Sequence, residues 1–146
     1  MCDQERQAKV DKIREDISSE VLLSWALHCL EEKQGQDVVC IHAAPVTTIA
    51  DYIVLCTATS STQLRVLADT IRRVQRKLGY ELLNSGQPDD DTWTVLDYGS
   101  VVVHLFSKEG RAHYHMEDMY KEAEQMDLEK LMQEYPCEIQ ETLQGI

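Results

Sequence analysis

The sequence lacks the features by which membrane and secreted proteins are recognised. It contains no apolar run long enough to cross a bilayer. Its charged first residues, MCDQERQAKVDKIRED, contain no apolar core of the kind that a secretory signal needs. The five cysteines form no C-x-x-C pair, and their odd number does not suit a framework of disulfides. We therefore expect a cytoplasmic protein that has no membrane as a partner.

Positive charge is also scarce. The chain has 14 lysines and arginines against 26 aspartates and glutamates, which gives a formal net charge of −12. Because nucleic acid is a polyanion, this balance argues against direct sequence-specific nucleic-acid binding. The charge would attract a basic protein partner, or it could serve only to keep the protein in solution.

Motifs for nucleophilic or phosphate chemistry are missing. Cys56 and His104 lie in apolar segments, where packing is the expected role, because a catalytic thiol needs an accessible, electropositive setting. The segment Thr57–Thr62 (TATSST) connects a predicted strand to a predicted helix, but it has neither the glycines nor the lysine of a phosphate-binding loop. We therefore predict no catalytic residue, no cofactor and no enzymatic activity.

Spacings that suit metal ligands are equally sparse. His113 and His115 form an H-x-H pair that would point the same way on a strand, with Glu117 and Asp118 just after it, but the segment is a strand-to-helix junction and no further Cys or His has metal-site spacing. The run Asp89–Asp91 offers three consecutive acids, which cannot all converge on one ion and better fit a solvated turn. We predict no resident metal.

What the sequence does contain is an alternation of helical and strand patterns. A helix is predicted from Ser19, with Gly35 just past its end. Apolar runs then predict strands at Asp37–Ala44 and Ala50–Ala58, and the second run is apolar enough to be covered on both faces.

A second helix follows. Ser60 and Gln63 match a capping box, and a regular apolar stripe continues to Gly79. Basic side chains cover the outer face of this helix, which we interpret as a solvated surface favourably placed on the helix dipole. These basic residues are Arg65, Arg72, Arg73, Arg76 and Lys77.

The second half of the chain is predicted to supply three strands and a helix. The strands are residues 80–85, 92–98 and 101–106, and the last two form a hairpin through Gly99 and Ser100. The helix begins near residue 116. This order indicates an α/β or α+β fold with a single mixed β-sheet flanked by helices.

Three units are predicted along the chain. They are a polar N-terminal arm (1–17), a folded domain (18–124) and an acidic C-terminal helical tail (125–146).

Trp93 is a large aromatic residue that stands beside a run of acids at the entrance to a predicted strand. Strict alternation would place Trp93, Val95 and Asp97 on one face of that strand. An aromatic side chain rimmed by charge is typical of interface hot spots, whereas packing in the core is the other interpretation.

Three ordered segments resemble the ribosomal silencing factor family (RsfS/Iojap-like proteins). ADYIVLCTATSSTQLRVLAD, from Ala50, resembles the family's ADYFVI–GTSS–(R/Q)Q–AD segment. WTVLDYGSVVVHLF, from Trp93, resembles W-V-L-L-D-Y-G-D-V-V-V-H-V-F, and RAHYHMEDMY, from Arg111, resembles R-x-F/Y-Y-D-L-E-x-L-W. The likeness extends from about Ser19 to Ala123.

The resemblance implies a mixed sheet flanked by helices, similar to the nucleotidyltransferase fold. It also implies binding to the large ribosomal subunit through its protein number fourteen, a basic protein on the intersubunit face. Occupancy of that face would block joining of the small subunit and repress translation. Members in organelles assist large-subunit assembly, so a large-subunit assembly factor is an alternative. No enzymatic activity is implied.

Carried over position by position, the resemblance implies a partner-binding surface. Trp93 matches the family's interface tryptophan. The other residues that we expect at this surface are Asp91, Asp97, Tyr98, Gly99, Ser100, Arg111 and Tyr114. Ser100 stands where the family has an acid, so one negative charge is missing here.

Two rival hypotheses make different use of the same residues. A nucleotidyltransferase-like enzyme would use Ser60 and Ser61 to hold the phosphate of a nucleotide and Asp97 to hold Mg²⁺. A homodimer would instead bury Trp93 in an interface between two copies of the chain.

Overall fold

The computed structural model describes residues 19–79, 82, 84–86 and 92–137. Within these ranges the chain forms five helices and six strands. The helices are α1 (Ser19–Glu32), α2 (Ser61–Lys77), α3 (Lys108–Tyr114), α4 (Met116–Met119) and α5 (Leu128–Glu134). The strands are β1 (Gln36–His42), β2 (Tyr52–Thr57), β3 (Asn84–Gly86), β4 (Trp93–Asp97), β5 (Val101–Phe106) and β6 (Glu124–Gln125). The predicted arm (1–17) and the acids Asp89–Asp91 lie outside the described residues.

The six strands form one sheet in the order β3-β4-β5-β2-β1-β6. Strands β2 and β5 are parallel, and every other neighbouring pair is antiparallel. The predicted single mixed sheet flanked by helices is therefore confirmed. The predicted hairpin is also confirmed, since β4 and β5 pair through a turn in which Gly99 has a φ of 88°, a conformation that glycine adopts without strain.

One face of the sheet, which we call the covered face, packs against α1, α2 and α5. Alternate residues of β2 (Tyr52, Val54 and Cys56) share a buried cluster with the apolar stripes of α1 and α2. All six residues of β2 are buried, so its predicted cover on both faces is confirmed. The covered face holds the larger core, and its burial is the main source of stability expected here.

The opposite face, which we call the thin face, is protected by less structure. Its buried cluster includes Ile53, Leu55 and Phe106, and the short helix α4 and the segment after it contribute Met116 and Tyr120. These two side chains are only partly buried. Part of the thin face therefore remains near solvent.

The start of α2 follows the predicted capping box with one difference. The hydroxyl oxygen of Ser60 accepts from the backbone N–H of Gln63 at 3.0 Å. The side-chain oxygen of Gln63 accepts from the backbone N–H of Thr59, at 2.6 Å, instead of from that of Ser60. Its amide nitrogen donates to the carbonyls of Lys33 and Gln34. Gln63 therefore also fastens the α1–β1 turn to α2.

The C-terminal part differs from its prediction. The helix begins at Lys108 instead of near residue 116, and it breaks at His115, whose φ is 49°. His113 consequently lies in a helix and not on a strand, so the geometry that an H-x-H pair has on a strand does not apply.

The segment after α4 packs on the rest of the fold. Leu131 of α5 is buried in the covered face, and the Ser24 hydroxyl lies within hydrogen-bond distance of the carbonyl oxygens of Leu131 (3.2 Å) and Tyr135 (2.7 Å). Strand β6 pairs with β1 across the predicted boundary at residue 124. Residues 125–137 therefore belong to the packed structure. None of the described helices is both long and apolar enough to cross a membrane.

Candidate functional site

Four aromatic side chains meet on the thin face, and we call Trp93, His104, Phe106 and Tyr114 the aromatic cluster. The β4–β5 register sets Trp93 opposite Phe106 and Val95 opposite His104. The ring centroid of Trp93 lies 5.7 Å from that of Phe106, 5.8 Å from that of His104 and 4.7 Å from that of Tyr114. The predicted alternation along β4 is confirmed, because Trp93 and Val95 both pack on this face.

The indole N–H of Trp93 is used inside the protein. Its Nε1 donates to Nδ1 of His104 at 3.0 Å. Burial of His104, which is only 9% exposed, lowers the pKa of its imidazole to about 4, although the negative charge of Asp97 opposes this shift. The imidazole is therefore neutral near pH 7 and keeps a lone pair for the indole.

Trp93 itself is partly buried, and so it is neither free on the surface nor sealed in the core. Tyr114, whose ring lies beside it at a tilt of 44°, is 39% exposed. A partner would therefore meet an aromatic pair whose position is set by the fold. Rigid aromatic area of this kind loses little conformational entropy on binding.

Helix α3 holds Tyr114 against Trp93. The backbone N–H of Ser107 donates to the carbonyl oxygen of Thr92 at 3.0 Å, and a Cβ at Gly110 would collide with that same oxygen. Glycine thus permits the close approach of α3 to the start of β4. A cleft of about 350 Å³ remains beside Tyr114, and it is lined by Thr92, Glu109, Gly110, His113 and Tyr114.

Arg111 connects α3 to the edge of the sheet. Its Nε lies 2.5 Å from a carboxylate oxygen of Glu117, and its Nη1 donates to the carbonyl of Asp37 (2.7 Å) and the hydroxyl of Thr57 (3.0 Å). The side chain is only 15% exposed. Arg111 was expected to contact a partner, but in the structure these bonds hold it inside the fold.

The Asp97–Ser100 turn is mostly an internal feature. Asp97 accepts from the backbone N–H of Gly99 at 2.8 Å. Tyr98 and Ser100 are each 1% exposed, and burial raises the pKa of the Tyr98 hydroxyl. Both were expected at the partner surface, but neither side chain offers accessible area for a contact. Asp91, the remaining expected residue, lies outside the described residues.

A second cleft, of about 270 Å³, lies at the carboxyl ends of the parallel strands β2 and β5. Its lining consists of Ala58, Thr59, Ser60, Ser61, Thr92, Ser107, Lys108 and Glu109. Asp97 lies at the far end of β4, about 16 Å along the strand from Thr92. Ser60, Ser61 and Asp97 are therefore not brought together. Over the described ranges the structure contains no group of three acids, histidines or cysteines able to hold a metal ion.

His104 is the residue that sequence reasoning assigned to packing alone. The signal that would have identified it is the hairpin register, since a turn at Gly99 and Ser100 sets His104 across from Val95 and hence next to Trp93. A buried histidine beside a tryptophan on the same face suggests a hydrogen bond between them.

Comparison with known proteins decides the family. Residues 16–143 match the model of a family described as "Ribosomal silencing factor during starvation". The chain belongs to the ribosomal silencing factor family. That family is named for regulation of the ribosome and not for a reaction.

Individual relatives agree with this assignment. The chain is 31% identical over 117 residues to the ribosomal silencing factor RsfS of Zymomonas mobilis, covering 80% of this chain and 87% of that protein. It is 29% identical over 113 residues to RsfS of Halalkalibacterium halodurans, covering 77% of this chain and 97% of that protein. A crystal structure of a protein from Chromobacterium violaceum has the same fold, with a TM-score of 0.69 at 22% identity over 72% of this chain and 88% of that one.

Proposed function

We propose that this silencing factor binds the large ribosomal subunit through protein number fourteen of that subunit, and that it sterically blocks joining of the small subunit. Translation is repressed as a result. The main support is that a member of the silencing family carries an aromatic pair, Trp93 and Tyr114, fixed at the edge of its less protected face. The proposed place of action is the cytoplasm.

The proposed contact is centred on Trp93 and Tyr114. Interface hot spots are enriched in tryptophan and tyrosine, since these side chains bury a large area with few rotatable bonds. The indole N–H already has a partner in His104. Binding through the ring therefore leaves no buried donor unsatisfied.

Charge would select the partner and speed its approach. The chain has a net charge of −12, and the exposed carboxylate of Glu109 lines the cleft beside Tyr114. We propose that this cleft and the acids Asp97 and Asp91 face lysine and arginine side chains of the basic ribosomal protein. Such complementary charges raise the association rate more than they raise the affinity.

The remaining expected site residues act through the fold. Gly99 permits the hairpin turn, while Tyr98 and Ser100 fill the space beneath it. Arg111 holds α3, and therefore Tyr114, in place. We propose that these residues shape the surface and that they contribute little direct contact area.

Steric exclusion needs neither a cofactor nor turnover. A bound domain that occupies the intersubunit face prevents the small subunit from reaching it. The expected signature is competition, in which the protein lowers the fraction of joined ribosomes in proportion to its occupancy of large subunits.

Co-sedimentation with purified large subunits tests the proposal, with small subunits then added to measure joining. Trp93→Ala should weaken binding at least tenfold, because loss of a hot-spot side chain costs about 2 kcal/mol or more, and joining should recover. The control is Trp25→Ala, which removes the chain's other tryptophan, on the covered face. That variant should melt at a lower temperature and still bind.

Unchanged co-sedimentation of the Trp93→Ala protein would contradict the proposed surface. The enzyme hypothesis is tested separately by a thermal melt with Mg²⁺ and a nucleoside triphosphate, which should leave the melting temperature unchanged. Light scattering after gel filtration tests the homodimer, whose formation through Trp93 would be abolished by the same substitution.

A further inference from the structure

His104 lies in an unusual place for a polar residue. It is in the middle of β5, between β2 and β4, with the apolar Leu55 and Val95 as its cross-strand neighbours. An aliphatic side chain would fill this position without the cost of burying a polar ring. The position therefore gains something from the imidazole that packing alone does not supply.

What the imidazole supplies is a directional contact to Trp93. An indole N–H can only donate, and a partly buried donor without an acceptor is costly. Phe106 stacks against the same indole but offers it no acceptor. Nδ1 of His104, at 3.0 Å from Nε1, is the acceptor that fixes which way the indole is turned.

We propose that His104 is a positioning residue for docking, which holds the indole of Trp93 in the single orientation that pairs with Tyr114 and faces the partner. This inference rests on the proposed function. Its central requirement is an acceptor at the position of Nδ1, with the ring proton on Nε2.

Preorganisation explains why such a contact matters for binding. If the indole could rotate, only a fraction of molecules would present the competent surface, and the apparent affinity would fall by that fraction. Burial among apolar neighbours keeps the imidazole neutral, so the acceptor is present throughout the physiological pH range.

The experiment compares two substitutions in a Trp25→Phe background, where Trp93 is the sole tryptophan. His104→Leu is similar in size but removes the acceptor. His104→Asn keeps an acceptor oxygen close to the Nδ1 position. Large-subunit binding is measured by co-sedimentation, and the indole is observed by its emission spectrum and by the exchange rate of its N–H proton in NMR.

We expect His104→Leu to bind large subunits roughly tenfold more weakly, with faster exchange of the indole proton and an altered emission maximum. His104→Asn should bind within about threefold of the background protein and restore slow exchange. A merely structural role would lower the melting temperature of both variants without this split in binding.

Three results would overturn the inference. The first is unchanged binding by His104→Leu, and the second is equal loss of binding by both variants. The third is measured on the background protein and so does not depend on whether His104→Leu folds. It is an indole proton of Trp93 that exchanges as fast as that of an exposed tryptophan. A background protein that never binds large subunits would instead contradict the proposed function, while the NMR result would still decide whether His104 holds the indole.

Discussion

The two faces of the sheet differ in how deeply their apolar residues are buried. On the covered face, strand residues such as Val54 and Leu96 are fully buried in a cluster that they share with the helices. The thin face leaves Trp93 and Val95 only partly buried beside two short helices. We infer that the first face carries most of the stability and the second carries recognition.

Hydrogen bonds of side chains support both faces. On the covered face the amide of Gln75 donates to the carbonyl of Leu22 at 3.0 Å and so joins α2 to α1. On the thin face the bond from Trp93 to His104 sets the position of a side chain at the proposed binding surface.

The largest effect should come from the covered core. Leu67→Ala removes a fully buried side chain of α2 and should lower the free energy of unfolding by about 3 kcal/mol, in the range found for buried leucines. Val66→Ala, at the preceding position but 40% exposed, is the control and should change this free energy by less than about 1 kcal/mol. Urea titration measures both. Equal losses would mean that the covered face is not the main store of stability.

The second prediction concerns pH and the thin face. The pKa of His104 is about 4 in the folded protein against an ordinary 6.5, so the unfolded chain binds the proton more readily. The stability that this group contributes is complete above about pH 6.5 and falls as the pH is lowered to about 4, by about 3 kcal/mol in total.

Thermal melts between pH 7 and pH 4 measure this loss. The control is His104→Leu, in which the curve of stability against pH should be flatter within that window. An equally steep curve in His104→Leu would mean that other groups, and not His104, cause the loss of stability at low pH.

The sequence was informative where local signals determine structure. Ser60 predicted the start of α2, its apolar stripe predicted the buried side, and Gly99 predicted the hairpin. The sequence did not predict the end of α3 at His115, where the backbone is left-handed. Such a conformation is uncommon for residues other than glycine, so no glycine marked this helix end. Contacts across the fold override the helical pattern there.

The candidate site shows the same limit. Alternation along β4 correctly placed Trp93 on one face, since that rule needs only neighbouring residues. The roles of Arg111 and His104 depend on contacts across the fold, including a hydrogen bond from Arg111 to the carbonyl of Asp37, 74 positions away. Tyr98 was expected at the partner surface because it matches the tyrosine of the family's D-Y-G motif, but in the structure it is buried in the core.

The third prediction compares two acids in equivalent positions. Glu109 and Glu129 are both exposed and both lie in the first turn of a seven-residue helix, α3 near the aromatic cluster and α5 on the covered face. Glu109→Lys should slow association with large subunits roughly tenfold at low salt, and less at high salt, because under the proposed function its charge faces the basic partner. Glu129→Lys should leave the rate nearly unchanged. Stopped-flow measurements at two salt concentrations give the association rates. Equal slowing by the two variants would mean that only the net charge of the protein matters.

The smallest expected effect comes from removing the N-terminal cap of one helix on each face of the sheet. Ser60 of α2 and Ser107 of α3 make the same bond, accepting from the backbone N–H three residues on at 3.0 Å and 2.9 Å. Ser60→Ala should lower the free energy of unfolding by about 1 kcal/mol, since α2 belongs to the main core. Ser107→Ala should leave the global value almost unchanged, but hydrogen exchange should become faster in α3 alone. If Ser107→Ala lowered the global free energy of unfolding as much as Ser60→Ala does, α3 would unfold only together with the core. The proposed binding surface would then be as stable as the covered face, and the contrast between the two faces would fail.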